Sequence, residues 1–238
     1  MKPIVCLPSC GRSGTNLCLE MLTGNTHLTP TEEEEDRNFF RINSVHEDGT
    51  LTKCDVVYYN KDELISTMDT NPNLKLIWTF RDPRDMILSK IVRGQPKSGD
   101  HRSGRTVLAD DATLDTAIQD ITDMFNKRKC AMDYDSSRNY TVRMEDLILN
   151  QVGTLKEICS FLGIPYEDNM VDFVPRMRNE FKRNRYRTLD KSQVSLWKRG
   201  DDVYDGFFKN YEMNLSYIID RCEELVGYMG YESNNSIV

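Results

Sequence analysis

The 238-residue sequence has no long hydrophobic run, since no apolar stretch approaches the roughly 18 residues that a membrane-spanning helix needs. Residues Met1–Pro8 form too short an apolar stretch for a signal peptide, and they lead directly into a glycine-containing loop. We therefore expect no membrane span and a protein that is cytoplasmic or otherwise soluble.

Metal-binding residues and positive charge are also scarce. The three histidines lie far from any cysteine at ligand spacing, and the seven cysteines include no C-x-x-C pair. We therefore expect no metal site, and the odd number of cysteines favours free thiols in a reducing compartment. The formal net charge of −7 argues against a general nucleic-acid-binding protein, so any anion site must be a local concentration of arginine and lysine.

What the sequence does contain is an alternation of apolar runs with amphipathic segments. The runs predict strands at Lys2–Pro8, Asp55–Tyr59, Leu74–Phe80 and Tyr140–Met144. The amphipathic segments predict helices at Asn16–Leu22, Lys61–Asp69, from Pro83 onward, and at Leu114–Tyr134, Val152–Leu162 and Tyr211–Met229. This order is typical of an α/β fold whose parallel sheet is covered by helices on both faces. We expect a single domain over residues 1–238, with a mobile loop around residues 94–111 and a mainly helical C-terminal part.

The segment Ser9–Thr15 follows the first predicted strand and opens the first predicted helix. Such a loop directs several backbone N–H groups at one point, at the positive end of a helix dipole, and is therefore predicted to bind an anion. A Walker A loop would place a lysine after its last glycine, whereas here Thr15 follows Gly14 directly, which disfavours a magnesium-dependent nucleoside triphosphatase. The loop offers two permissive glycines, one guanidinium and two hydroxyls: Gly11, Gly14, Arg12, Ser13 and Thr15.

A second charged cluster, Arg81–Asp85, lies directly after the third predicted strand. Ligands of open parallel sheets bind beyond the carboxyl ends of the strands, so Arg81 is placed at the expected edge. Ser89 follows two helical turns later, and Arg93 lies one turn further on the same face. The alternative interpretation of the cluster is a salt-bridged helix cap.

Together the two motifs resemble the family of sulfotransferases that use 3′-phosphoadenosine 5′-phosphosulfate (PAPS). In that family the first loop holds the 5′-phosphosulfate, and an arginine and a serine at the spacing of Arg81 and Ser89 hold the 3′-phosphate. Val142–Leu147 is similar to the family's strand followed by E-D-L, and Phe161–Pro165 is similar to its F-L-G-I-P segment. The resemblance extends from Lys2 to Pro165, and the R-S-G-T loop is most similar to tyrosylprotein sulfotransferases and related enzymes. It implies a P-loop-type fold, PAPS as donor, 3′-phosphoadenosine 5′-phosphate (PAP) as product and no metal.

The resemblance also implies roles for individual residues. Arg93 matches an additional arginine of the tyrosylprotein enzymes, and Asn16 stands where a second threonine is common. Met144 stands where many relatives have a tyrosine that contacts the adenine, and Ser192 and Lys198 are candidates for C-terminal 3′-phosphate contacts. The predicted cofactor-binding set is Gly11, Arg12, Ser13, Gly14, Thr15, Asn16, Arg81, Ser89, Arg93, Met144, Ser192 and Lys198.

The general base is predicted to be a carboxylate, which would deprotonate the acceptor hydroxyl while Arg12 stabilises charge on the bridging oxygen. The family spacing, counted from the loop arginine without gaps, ends at Glu33 in the run Glu32–Glu35. Acidic runs are usually solvated, and Glu32 or Glu34 is one register away. Asp55 is an alternative base, and His46 is a weaker one.

The function predicted from these residues is in-line transfer of a sulfuryl group from PAPS to the hydroxyl of a carbohydrate, a small molecule or a peptide tyrosine. A P-loop nucleotide or metabolite kinase, and a non-catalytic nucleotide-binding protein, are the alternatives. The sequence shows no code for the acceptor or for the oligomeric state.

Overall fold

The computed structural model describes residues 2–31, 35–94, 111–172, 198–199, 203–204 and 215–231. Within these ranges the side chains are described except those of residues 91–94, 111–113, 198–199, 203–204 and 215–219. The predicted loop around residues 94–111 falls almost entirely outside the described residues, as do Glu33 and Ser192.

A five-stranded parallel sheet forms the centre of the described structure. The spatial order of its strands is β2-β3-β1-β4-β5. The strands are β1 (Ile4–Ser9), β2 (Thr29–Pro30), β3 (Thr50–Asp55), β4 (Leu74–Phe80) and β5 (Asn139–Arg143). This arrangement confirms the predicted α/β fold with a parallel central sheet.

Helices cover both faces of the sheet. They are α1 (Thr15–Leu22), α2 (Lys61–Thr70), α3 (Pro83–Gly94), α4 (Asp111–Asp135), α5 (Met144–Leu149), α6 (Gln151–Leu162) and α7 (Leu215–Tyr228). A two-stranded antiparallel pair, β6 (Lys198–Arg199) and β7 (Val203–Tyr204), lies apart from the main sheet. In the described ranges no helix is both long and apolar enough to cross a membrane.

The apolar core is divided into two clusters by the sheet, because successive side chains of a strand point to opposite faces. Ile4 and Cys6 of β1 pack in the cluster that contains residues of α2, α3, α4 and α7. Val5 and Leu7 pack in the cluster that contains residues of α1, α5 and α6. All six residues of β1 are therefore buried, which explains its continuous apolar run.

The predicted strand Asp55–Tyr59 is wrong in its placement. Asp55 is the last residue of β3, and Val56–Tyr58 form a 3₁₀ turn. The Asp55 carboxylate accepts a hydrogen bond from the backbone N–H of Val57 at 3.3 Å, a local bond that competes with a strand ladder. The buried strand is instead the more polar Thr50–Asp55, whose polarity concealed it. Met144, predicted to end the fourth strand, begins α5.

Candidate active site

The loop between β1 and α1 has a backbone that only a few residue types adopt readily. Gly11, Arg12 and Gly14 have φ angles of 65°, 68° and 92°, whereas Ser13 has a negative φ. A change of φ sign between successive residues turns their N–H groups towards one side, which is the geometry of an anion-binding nest. Gly14 caps α1, and within the described residues no side chain caps this helix end. The loop therefore fits an anion through its backbone.

Gly14 is also required because a side chain would collide with Met144. A Cβ atom built at Gly14 would lie 2.8 Å from the Cβ of Met144. Met144 is buried at the start of α5, in the cluster that contains α1. Met144, which stands where many relatives have an adenine-contacting tyrosine, thus lies directly against the loop at Gly14 in this structure.

Three buried hydroxyls join the loop to β4. Ser13 Oγ lies 2.8 Å from Thr15 Oγ1 and 3.0 Å from Thr79 Oγ1, and the Thr15 and Thr79 hydroxyls are 2.6 Å apart. Because each hydroxyl can donate one hydrogen bond and accept others, the triangle can satisfy all three groups. The hydroxyls of Ser13 and Thr15, predicted to face an anion, thus hold the loop against the sheet.

The two motifs found in the sequence meet at one contact. The guanidinium Nε–H of Arg12 donates to Ser89 Oγ at 2.7 Å, across 77 residues of sequence. Ser89 is buried in the second turn of α3, whereas Arg12 is exposed. A serine hydroxyl that accepts this bond retains its own proton for donation to a second anionic group.

The cluster Arg81–Asp85 is held by two internal ion pairs. Arg81 Nη2 lies 2.8 Å and Nε 3.2 Å from Asp85 Oδ2, and both side chains are buried. Arg84 binds Asp82 through Nε and Nη2, at 2.9 Å and 2.6 Å. Asp82 Oδ1 also accepts from the backbone N–H of Arg84 at 2.9 Å and so caps α3. The salt-bridged cap considered for this sequence is therefore present, and it fixes the direction of the Arg81 guanidinium at the end of β4.

Lys53 and Asp55 approach the loop from β3. In the sheet register Asp55 lies opposite Ser9, the last residue of β1. The buried Lys53 donates through Nζ to Asn16 Oδ1 at 2.7 Å, in the first turn of α1. A cation and a carboxylate two residues apart thus occupy the same sheet edge as the glycine loop.

The environment of Asp55 raises the pKa of its carboxyl above the ordinary value of 3.8. Burial is the main cause, and the hydrogen bond from Val57 N–H and the charge of Lys90 oppose it. Lys90 is itself paired with Asp120 at 2.6 Å, and the Asp120 charge raises the Asp55 pKa further. A carboxylate with a raised pKa is a better proton acceptor than an ordinary aspartate.

For the other candidate bases, the structure describes His46 and the residues on either side of Glu33. Thr31 and Asp36, which flank the acidic run, donate backbone hydrogen bonds to Leu51 O at 3.0 Å and Lys53 O at 2.9 Å, while Glu33 lies outside the described residues. His46 stacks on Phe39 with a centroid distance of 3.8 Å, and its backbone N–H bonds to Asn71, just before β4 begins. His46 therefore lies towards the opposite edge of the sheet.

Two residues of this edge were missed by sequence reasoning. Lys53 lies in a strand that the hydrophobic pattern did not reveal, so its position beside the loop had no visible signal. Thr79 belongs to a strand with an apolar pattern, yet a threonine near the carboxyl end of LKLIWTF is a polar group at the ligand edge. Arg93 and Lys198 lie in described elements whose side chains are not described, and Ser192 lies outside the described residues.

Comparison with known proteins gives a consistent result. Residues 43–168, more than half of the chain, match the model of a family described as "Sulfotransferase family". Carbohydrate sulfotransferase 1 of Danio rerio is 28% identical over 181 residues, which cover 71% of this chain and 40% of that protein. The chain thus spans about two fifths of the length of this curated relative.

Two solved structures share the fold. The sulfotransferase domain from the curacin biosynthetic pathway superposes with a TM-score of 0.56 at 15% identity, over 98% of this chain and 99% of that one. The sulfotransferase domain from the Synechococcus PCC 7002 olefin synthase gives a TM-score of 0.53 at 16% identity, over 82% of this chain and 87% of that one. At these identities the likeness establishes the architecture around the loop.

Proposed function

Since the chain belongs to the sulfotransferase family, we propose that it transfers a sulfuryl group from PAPS to a hydroxyl group of an acceptor. The observation that carries the proposal is the 2.7 Å contact between Arg12 of the glycine loop and Ser89 of α3. This contact joins a loop suited to one anionic group with a helix suited to a second, and PAPS carries two such groups. PAPS, when bound, supplies the activated sulfuryl group.

The loop end of the site would receive the 5′-phosphosulfate. Backbone N–H groups of the loop and the start of α1 would bind its oxygens, and Arg12 would neutralise charge that develops on the bridging oxygen. Lys53, held against Asn16, would add a second cation at the same edge. The residues proposed for this end are Gly11, Arg12, Ser13, Gly14, Thr15, Asn16 and Lys53.

The α3 end of the site would receive the 3′-phosphate. Asp85 orients Arg81, and Ser89 retains a hydroxyl proton for donation, so both can bind a phosphate at the N-terminal part of α3. Arg93, Ser192 and Lys198 remain proposed further contacts on the basis of the family resemblance. Met144 remains the proposed neighbour of the adenine.

We propose Asp55 as the general base, with Glu33 as the alternative. Asp55 lies opposite Ser9 at the edge where the loop begins, and burial raises its pKa. It would accept the proton of the acceptor hydroxyl as the hydroxyl oxygen bonds to sulfur and the bond from sulfur to the bridging oxygen breaks, which would release PAP. General bases accelerate such a proton transfer roughly 10²–10⁴-fold. Glu33 is supported by its spacing from the loop arginine alone.

A carbohydrate is the proposed acceptor. The support is the name of the curated relative, a carbohydrate sulfotransferase, although the chain spans only part of it. Small molecules and peptide tyrosines are the other hydroxyl acceptors to be compared. We also propose that residues 1–238 form one sulfotransferase-like domain, supported by the near-complete overlap with the curacin-pathway domain.

The binding test is calorimetric titration with PAP, ATP and GTP, with and without a magnesium chelator. We expect PAP to bind most tightly, with an affinity that the chelator leaves unchanged, because the loop carries arginine and lacks a Walker lysine. A preference for ATP, or a strict need for magnesium, would contradict the proposal and favour a kinase.

The activity test offers radiolabelled PAPS with panels of sugars, phenols and tyrosine peptides. Labelled product with a sugar supports both the reaction and the acceptor class. Labelled product with phenols or peptides only would support sulfuryl transfer but contradict a carbohydrate acceptor. Tight PAP binding without any labelled product across the three panels would favour the non-catalytic alternative.

A further inference from the structure

A series of contacts connects the C-terminal end of α7 to the candidate site, and none of these contacts has a role in the proposed reaction so far. The helix ends in a Schellman motif, with Gly230 at φ 72° and the Tyr231 N–H bonded to Val226 O at 2.9 Å. This turn directs Tyr231 towards the junction of β5 and α5. Arg143 holds it there, through a 2.7 Å bond from Nη2 to Gly230 O and a guanidinium 4.7 Å from the Tyr231 ring centroid.

Tyr231 contacts a carboxylate that reaches the candidate 3′-phosphate site. Its hydroxyl donates to Glu145 Oε2 at 2.9 Å. The other oxygen of Glu145 accepts the backbone N–H of Asp82 at 2.9 Å. Asp82 caps α3 and follows Arg81 directly, so this bond fixes the peptide that carries the arginine.

The Glu145 carboxylate is costly to bury. Burial raises the pKa of Glu145 to about 7, against the hydrogen bonds from Asp82 and Tyr231 and the charge of Arg81. Each of its two oxygens accepts a hydrogen bond from a donor with a fixed position. A buried carboxylate with such partners holds those partners in place. The pairs Arg81–Asp85 and Arg84–Asp82 join the first turn of α3 only to the two residues that precede it, whereas Glu145 reaches this turn from another element.

We propose that Glu145 and Tyr231 are positioning residues for the 3′-phosphate site: Tyr231 holds the Glu145 carboxylate, and Glu145 holds the Asp82 N–H and thereby the direction of Arg81. The inference rests on the proposed binding of PAPS at Arg81 and Ser89. It connects the C-terminal end of α7 to the affinity for the 3′-phosphate.

The test compares the dissociation constants of PAP and of adenosine 5′-phosphosulfate, which lacks the 3′-phosphate. Glu145→Ala should weaken PAP binding roughly tenfold, with less than a twofold change for the second ligand, because it releases the Arg81–Asp82 peptide while the Arg81–Asp85 pair remains. Glu145→Gln should restore most of the PAP affinity, since its amide oxygen can accept from Asp82 N–H and its amide group can donate to Tyr231 Oη. Tyr231→Phe should weaken PAP binding roughly threefold to tenfold.

Two variants serve as matched controls. Asp146→Ala removes the exposed neighbouring carboxylate, and Tyr228→Phe removes the hydroxyl of a tyrosine that packs on Phe125 at the same helix end. Both should bind PAP as the unmodified chain does, and circular dichroism would confirm that all variants are folded. If Glu145→Ala does not fold, the comparison of Tyr231→Phe with Tyr228→Phe decides the question alone.

Arg81→Ala separates this inference from the proposed function. If Arg81→Ala weakens PAP selectively while Glu145→Ala and Tyr231→Phe do not, the positioning role is wrong and the cofactor site stands. If Glu145→Ala and Tyr231→Phe lower the affinity for both ligands equally, or if Glu145→Gln does not restore PAP affinity, the two residues have a general structural role. If Arg81→Ala weakens both ligands equally, the 3′-phosphate site and this inference fail together.

Discussion

At the scale of the residue, the site depends on side chains whose partners fix their direction. Arg81 illustrates this, because its buried guanidinium is paired with Asp85 at 2.8 Å, which restricts its orientation. Arg12 is exposed but bonds to Ser89, so each motif constrains the other. Such preorganisation reduces the ordering that a ligand must otherwise impose.

Removal of either 3′-phosphate contact should separate two cofactor analogues. We expect Arg81→Ala and Ser89→Ala to weaken PAP binding about tenfold to a hundredfold, the effect of a charge-assisted bond worth roughly 1.5–3 kcal/mol. The affinity for adenosine 5′-phosphosulfate should fall less, although Ser89→Ala also removes a hydrogen-bond acceptor for Arg12. Calorimetric titration of both ligands measures the difference, and equal losses would place the 3′-phosphate elsewhere.

The base assignment gives a prediction for turnover. Asp55→Asn should lower kcat at least tenfold and leave PAP affinity unchanged, because asparagine can still cap the 3₁₀ turn but accepts no proton. Glu33→Gln is the comparison variant and should have the smaller effect. Loss of turnover in Glu33→Gln but not in Asp55→Asn would transfer the role to Glu33.

The pH profile tests the same carboxylate. Because burial raises the Asp55 pKa, the charged base should be lost as pH falls through a value above 3.8. Turnover should therefore decline on the acid side at a higher pH than an ordinary aspartate would give. The acid limb of the kcat–pH curve should be absent in whatever activity Asp55→Asn retains.

At the scale of the element, the short connection from β1 to α1 is the least tolerant part of the site. Its left-handed residues and its contact with α5 leave no volume at Gly14, whereas Gly11 has open space around it. The hydroxyl triangle with Thr79 fixes the same connection to β4. The loop is therefore held by two neighbouring elements.

Alanine substitutions at the two glycines should differ. Each substitution places an alanine in a left-handed backbone conformation, which costs roughly 1–2 kcal/mol of folding free energy. Gly14→Ala must also displace Met144, since its Cβ would lie 2.8 Å from the Met144 Cβ, so it should abolish measurable PAP binding and lower the melting temperature more than Gly11→Ala. Thermal denaturation and PAP titration of the two variants check this order, and similar behaviour would show that the loop moves away from α5 at little cost.

At the scale of the whole molecule, the two faces of the sheet carry the apolar core, and the carboxyl edge carries the candidate site. The two apolar clusters enclose β1 and β4. The polar contacts of the candidate site lie where β1 and β4 end. Glu145 connects this edge to α7, because its carboxylate accepts hydrogen bonds from Asp82 N–H, just after β4, and from the Tyr231 hydroxyl, just after α7.

Its raised pKa predicts how stability depends on pH. The Glu145 carboxyl titrates near 7 when folded and near 4.5 when unfolded, so its contribution is fully present below 4.5 and is lost as pH rises through 7. The loss reaches at most about 3 kcal/mol, or several degrees of melting temperature in a chain of this length. Thermal denaturation of Glu145→Gln should show a smaller decline between pH 5 and pH 8 than the unmodified chain, and parallel curves would contradict the raised pKa.

The sequence by itself determined the parts of this protein that are local in the chain. The loop from Ser9 to Thr15 and the pair Arg81 and Ser89 are recognisable because spacing within one strand, turn or helix sets where their side chains can point. The alternation of apolar runs was sufficient to predict the parallel sheet, since strands covered on both faces are apolar throughout.

Only the tertiary structure decided which distant residues meet. Arg12 with Ser89, Lys53 with Asn16, and Tyr231 with Glu145 are contacts that no local pattern encodes, because they depend on the order of strands in the sheet and on how helices pack across it. The same cause misplaced β3: Thr52 and Lys53 look exposed in sequence, but they are buried in a strand that lies between β1 and β2 in the sheet.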